Sequence, residues 1–293
     1  MMQDNQSKPL AIGALLRESV TLFFTHWRRH FLLSFACVVP LAVLMAVGYL
    51  DPMIHYIQQA VTGPDLQRMP DGTPGMTVSP SPANPLPVLR TLSLWALMLM
   101  SVSAYATGWW SSLFELQRLG TPRRASWLEA LAAVIGRFIL YGVLMIGVES
   151  VCVMVGGGLL VLMAPLLQQT GSLAFARFLV TILLQVISMG VGMRIAVSIP
   201  PLLWHENISF ARAWVASRGQ TFTLGLTALA LALPGFILLL IAAELLGAAL
   251  KPSGGIISGL SVLLLAPLIF LYYSLQFAAL AVVFRQLRAR QLL

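Results

Sequence analysis

Six uninterrupted apolar windows, at approximately residues 31–50, 91–114, 138–164, 178–203, 222–246 and 257–283, constrain this chain more than any other feature. About 20 apolar residues at 1.5 Å each are enough to cross about 30 Å of hydrocarbon as a helix. Only helices and closed barrels satisfy every backbone polar group there. Six windows of helical length therefore predict an all-α polytopic membrane protein, built as a single integral membrane domain over 1–293. Composition agrees: 58% of residues are hydrophobic and 10% are charged, where soluble domains carry roughly 25% charged residues. A water-facing surface of ordinary size cannot be made from such a chain. Two cysteines exclude a disulfide scaffold, and the apolar content excludes disorder.

The net charge is +8, which raises nucleic acid or anionic lipid as partners. Distribution favours lipid. No run of cations exceeds two, at Arg28-Arg29 and Arg123-Arg124, and no nucleic-acid motif is present. The cations instead flank the windows. One set of alternate connections carries Lys8, Arg17, Arg28 and Arg29, then Arg118, Arg123, Arg124 and Arg137, then Arg212 and Arg218, and finally Arg285, Arg288 and Arg290. The other set carries only Arg68, Arg90, Arg177 and Lys251. By the positive-inside bias both termini are expected to be cytoplasmic, in a multi-pass inner-membrane protein. The first window has no small-residue cleavage site and is read as a retained span.

Three further segments stand out beyond the spans. Residues 1–30 form a cytoplasmic amphipathic segment and 284–293 a basic tail. The connection 51–90 holds eight of the seventeen prolines, which disfavours both helix and sheet, so an irregular exterior loop is expected there.

The cytoplasmic approaches to spans one, three and five look alike. Ile12, Leu15, Leu16, Phe23 and Trp27 share one helical face, opposite Arg17, Glu18, Thr21 and Thr25. Trp127, Leu128, Leu131 and Ile135 oppose Glu129 and Arg137, with capping-box spacing at Ser126-Trp127-Leu128-Glu129. Phe210 and Trp214 oppose Arg212 and Arg218. The economical reading is three repeats of an amphipathic cytoplasmic helix plus a transmembrane hairpin, each helix lying in the headgroup layer. Trp27, Arg28, Arg29, Trp127 and Trp214 are then interfacial anchors.

This arrangement, with Ser209-Phe210-Ala211-Arg212-Ala213-Trp214 before span five and an aromatic-basic tail after span six, resembles the YciC-like inner-membrane proteins and the membrane domain attached to some glycerophosphodiester phosphodiesterases. The resemblance implies an all-helical inner-membrane fold. It supplies no catalytic residue, since no soluble phosphodiesterase domain is present.

Charges within spans point to function, because insertion scales assign a central Arg or acid about 2.5 to 3.5 kcal/mol. Glu149 in span three and Arg194 in span four fall near the midplane by residue count. As hairpin neighbours they are expected to pair, either to fix register or to form a midplane polar site. Glu244, near the exterior end of span five, can reach water. Gln185 and Gln276 are expected to hydrogen-bond between helices. Pro40, Gly156-Gly157-Gly158, Gly190 with Gly192, Pro234-Gly235 and Pro267 interrupt five spans, and close packing or kinking is the simpler role for them.

His26 and His30 have the i, i+4 spacing of a metal pair but no acid or Cys beside them. Cys37 and Cys152 read as small buried hydrophobes. No phosphate loop, zincin motif or nucleophile elbow is found, so no enzyme activity, cofactor or metal is expected. The expectation is a structural, lipid-interacting or accessory membrane component. Its partners are membrane lipids and either further copies of itself or another membrane protein, with no nucleic acid. The alternative is a small-solute transporter or channel using a Glu149/Arg194 site.

Overall fold

The computed structural model describes residues 10–46, 85–116, 127–169, 173–204, 206–249 and 255–290. Among these there are α-helices and one 3₁₀ segment, and no strand. The helices are α1 (Ile12–Thr25), α2 (Trp27–Ala46), α3 (Pro85–Leu116), α4 (Trp127–Gln169), α5 (Leu173–Ala196), α6 (Phe210–Ala216), α7 (Thr221–Ala249) and α8 (Gly255–Ala289), with the 3₁₀ turn Pro200–Trp204 between α5 and α6. Six of them, α2, α3, α4, α5, α7 and α8, are long and apolar enough to span a membrane. The chain is therefore an all-α, multi-pass membrane protein.

Consecutive spans pack as neighbours, and α8 closes the ring by lying against α2, with α3 and α7 also touching it. The core sits where α8 nears its C-terminus. From Phe277 to Phe284 every residue is buried, the pattern of a helix surrounded by protein on all sides. Trp109, Trp110, Leu113 and Phe114 of α3 fill the same level. Since lipid tails are as apolar as leucine, packing and hydrogen bonds hold such a core together rather than exclusion from water. Both buried indoles find acceptors accordingly, Trp109 Nε1 donating to the Ser274 carbonyl at 3.2 Å and Trp110 Nε1 to that of Phe277 at 2.9 Å. This half of the bundle carries the basic connections and is called the basic end below.

Prolines and glycines do not break the spans. Pro40, Pro234 and Pro267 lie inside continuous helices, and α4 runs unbroken through Gly156-Gly157-Gly158. Gly190 and Gly225 instead set how closely α5 and α7 cross. A Cβ on Gly190 would fall onto the Thr221 carbonyl, and one on Gly225 onto the Val186 carbonyl. Only residues without a side chain fit at that reciprocal contact.

The three amphipathic segments take three different forms. The first, α1, ends at His26 and docks its Leu15, Ser19 and Phe23 face onto α7 and α8, so its apolar stripe meets protein. The second is the first turns of α4, continuous with the span in one 43-residue helix. The third is the seven-residue α6, capped by Ser209 and separated from α7 by a turn with Gly219 at φ 76°, a left-handed value that glycine adopts without strain.

The expected loop 51–90 is shorter than predicted, since Pro85 and Pro87 fall in the first turn of α3. Proline is tolerated there because the first amides of a helix have no partner within it. Residues 51–84, Ser126, residues 1–9 and 291–293, and the side chain of Glu244 lie outside the described ones.

Candidate functional site

The expected Glu149–Arg194 pair does not form. Glu149 Oε1 accepts a hydrogen bond from Ser188 Oγ at 2.5 Å, whereas Arg194 turns to the segment after α5. Its Nε donates to Ser217 Oγ at 3.2 Å, Nη1 to Thr221 Oγ1 at 3.0 Å and Nη2 to the Trp214 carbonyl at 2.6 Å. Its guanidinium also lies 3.5 Å from the centre of the Trp214 ring. The physical reason is where α5 stops. The apolar window continues to 203, but the helix ends at Ala196, so Arg194 occupies the last turn of α5. Ser188, six residues further in and about 9 Å along the axis, is what faces Glu149.

Arg194 thus works without a carboxylate. It is 5% exposed, its charge complements the C-terminal end of the α5 dipole, and neutral acceptors and an aromatic face satisfy it. It knots the end of α5 to α6 and to the start of α7. Sequence reasoning named Arg194 but missed Ser217 and Thr221; the signal was two hydroxyls flanking the Gly219 turn, within reach only once α5 ends early.

Other arginines at the basic end are also paired within the chain. Arg137 donates to the Asn207 side chain and, at 3.2 Å, to the Ile208 carbonyl, with the Phe210 ring 4.8 Å away. Arg285 pairs with Glu18 at 2.5 Å, and Arg288 with Glu206 at 3.0 Å. These contacts fasten α4, α8 and α1 around the α5–α7 connection.

A second set of side chains faces outward at the same end. Trp27 is 47% exposed, Trp127 54% and Trp214 38%, so all three anchors present surface. Arg28, whose guanidinium lies 5.7 Å from the Trp27 ring centre, is exposed. Arg29, Arg212 and Arg218 are exposed too. Phe24, Val215 and Phe222 add apolar surface beside them.

His30 belongs to neither set. It is 1% exposed, with Nδ1 2.6 Å from Tyr105 Oη and Nε2 3.1 Å from the Pro267 carbonyl. A carbonyl only accepts, so Nε2 carries the proton and Tyr105 donates to Nδ1. Both ring nitrogens are engaged, which leaves none for a metal shared with His26. Burial, and next the Arg29 charge, hold the His26 imidazole below its ordinary pKa. Among the described residues no three His, Cys, Asp or Glu side chains gather as a metal-ligating group. Cys37 and Cys152 are both free thiols.

Of the two intramembrane amides, Gln276 bridges helices as expected, donating to the Ala228 carbonyl at 2.6 Å. Gln185 is exposed on α5 instead. On α4 an open, mainly apolar groove of about 530 Å³ is lined by Gly142, Met145, Ile146, Glu149, Ser150, Val153 and Met154. Comparison with protein families, with curated proteins and with solved structures finds no match.

Proposed function

We propose that this six-span protein is a non-catalytic, lipid-interacting component of the bacterial inner membrane, with its basic end against the anionic cytoplasmic leaflet. The observation that carries this reading is the division of the arginines. Arg137, Arg194 and Arg285 are engaged by partners within the chain and Arg288 is held in an exposed ion pair, while Arg28, Arg212 and Arg218 stand exposed beside Trp27, Trp214 and Phe222. Aromatic side chains at headgroup level with arginines alongside suit the boundary between acyl chains and phosphate. Each cation near an anionic surface contributes about 1 kcal/mol. A solute path through Glu149 and Arg194 draws no support from two groups bonded to different partners.

The test is native mass spectrometry of the protein released from nanodiscs containing equal phosphatidylglycerol and phosphatidylcholine. Preferential retention of phosphatidylglycerol is expected. Equal retention of both lipids rejects the reading.

A further inference from the structure

We infer that the seam between α4 and α5 is a track for phospholipid headgroups, along which lipids exchange between the two leaflets while their acyl chains stay in the bilayer. The observation that carries this is where polar groups meet lipid. Among the described residues of the six spans, away from their first and last turns, the exposed hydroxyl, amide and charged side chains all lie on α4 and α5. They are Glu149 and Ser150 on α4, and Thr181 and Gln185 on α5, with Arg177 exposed one turn further out. A carboxyl or amide facing acyl chains is costly, and such groups mark substrate paths. Ser188 engages one oxygen of Glu149; among the described residues Glu149 Oε2 and the Gln185 amide make no hydrogen bond. The Ser150 and Thr181 hydroxyls each donate to a carbonyl of their own helix, at 2.7 and 2.8 Å, and still accept.

These groups form a row. On α5, Arg177, Thr181, Gln185 and Ser188 recur at intervals of four, four and three residues, which is one helical face. Ser188 meets Glu149 on α4. Tyr141, two turns nearer the basic end, turns its hydroxyl to the notch left by Gly192, 2.8 Å from where a Cβ would stand. At 1.5 Å per residue, Arg177 stands about 17 Å from Ser188 along α5, and Tyr141 about 12 Å from Glu149 in the opposite direction along α4. The row therefore covers nearly all of the hydrocarbon, which is about 30 Å thick. Because α4 and α5 are antiparallel, the step from Ser188 to Gln185 and the step from Glu149 to Ser150 open to the same side of the seam. The groove on α4 lies on that side, and Gly142 on its wall has nothing within 4 Å of a Cβ position.

Chemistry selects the occupant. A headgroup with an ammonium and a phosphate offers donors to Glu149, Ser150, Thr181 and the Gln185 oxygen, and acceptors to Arg177 and the Gln185 nitrogen. A zwitterionic phospholipid such as phosphatidylethanolamine suits a row with a cation at its outer end and an acid at its middle. Each polar stop replaces part of the water that the headgroup gives up. The groove is open sideways, so the tails never leave the bilayer. This track is a different surface from the arginines of the basic end and does not depend on them.

The experiment places the full chain in vesicles of phosphatidylethanolamine and phosphatidylglycerol, with a trace of phosphatidylethanolamine carrying a fluorophore on one acyl chain in both leaflets. Dithionite added outside bleaches what it reaches. Protein-free vesicles lose only the outer-leaflet signal, and vesicles with the protein are expected to lose nearly all of it. A water-soluble fluorophore sealed inside should stay protected, which separates lipid exchange from a pore. Gln185→Leu, which removes no bond made within the described chain, should slow the inner-leaflet loss at least about tenfold without lowering the melting temperature. Glu149→Leu should slow it too. Leu264→Ala, on the exposed side of α8, should leave the rate unchanged. Wild-type vesicles that lose only the outer-leaflet signal overturn the inference. So does bleaching of the sealed fluorophore, or exchange that both Gln185→Leu and Glu149→Leu leave intact.

Discussion

At the scale of single residues, Arg194 shows how a buried cation is kept without a counter-charge. Three neutral acceptors and the Trp214 ring divide its charge, and each such contact to a charged group contributes more than its neutral equivalent. Arg194→Met keeps much of the volume and loses all of them. We expect it to lower unfolding stability by about 2 to 3 kcal/mol, measured by thermal or denaturant unfolding in detergent. Two double-mutant cycles then separate partners. With Trp214→Leu, which removes the ring but keeps the carbonyl, a coupling of about 1 kcal/mol is expected. With Glu149→Gln the effects should add to within about 0.5 kcal/mol, since the two side chains share no partner. Coupling between Glu149 and Arg194 above about 1 kcal/mol contradicts the placement described here.

That pair also marks the limit of what the sequence could tell at this scale. Both charges were visible as unusual residues in apolar windows. Their depths were not, because hydropathy runs on through Val197 to Leu203 while the hydrogen-bonded helix stops at Ala196. Ser198 and the paired prolines Pro200-Pro201 were the local cue for the stop, as proline cannot continue a helix whose amides are needed.

Among the elements, the long apolar windows were legible and their contacts were not. Counting spans needs only length and hydropathy, so all six appear. The docking of α1 depends on which side of an amphipathic helix finds protein, and periodicity alone does not say whether an apolar stripe meets lipid or a neighbour. Glycines carry the same ambiguity. Gly190 and Gly225 are pressed against backbone, whereas Gly157 faces open space. Gly190→Ala and Gly225→Ala should each destabilise by about 1 to 3 kcal/mol through overpacking of the α5–α7 crossing. Gly157→Ala should be neutral or stabilising by up to about 1 kcal/mol, as expected for an unhindered helical glycine. Unfolding curves of the three variants check this ordering, and equal effects would show that the crossing is not set by these contacts.

For the whole molecule, the basic end is the organising fact among the described residues. One end is densely packed, fastened by arginine contacts and ringed by outward aromatic and cationic side chains. On the positive-inside expectation this end is cytoplasmic. A cysteine replacing Arg290, in a background lacking Cys37 and Cys152, should therefore react with a membrane-impermeant maleimide only after the cytoplasmic face is opened; labelling in intact spheroplasts would invert the topology. The distribution of cations that predicts this was plain in the sequence. Which arginines remain outside after folding was not, because it depends on acceptors such as the Ile208 and Trp214 carbonyls that no pattern displays.

The most direct measurement compares retained lipid on the wild-type chain and on the triple variant Arg28→Gln, Arg212→Gln, Arg218→Gln, both released from mixed phosphatidylglycerol–phosphatidylcholine nanodiscs. With these side chains exposed and about 1 kcal/mol for each cation at an anionic surface, the phosphatidylglycerol preference of the wild type should fall by about tenfold or more while the melting temperature stays put. An unchanged preference in a well-folded variant contradicts the account.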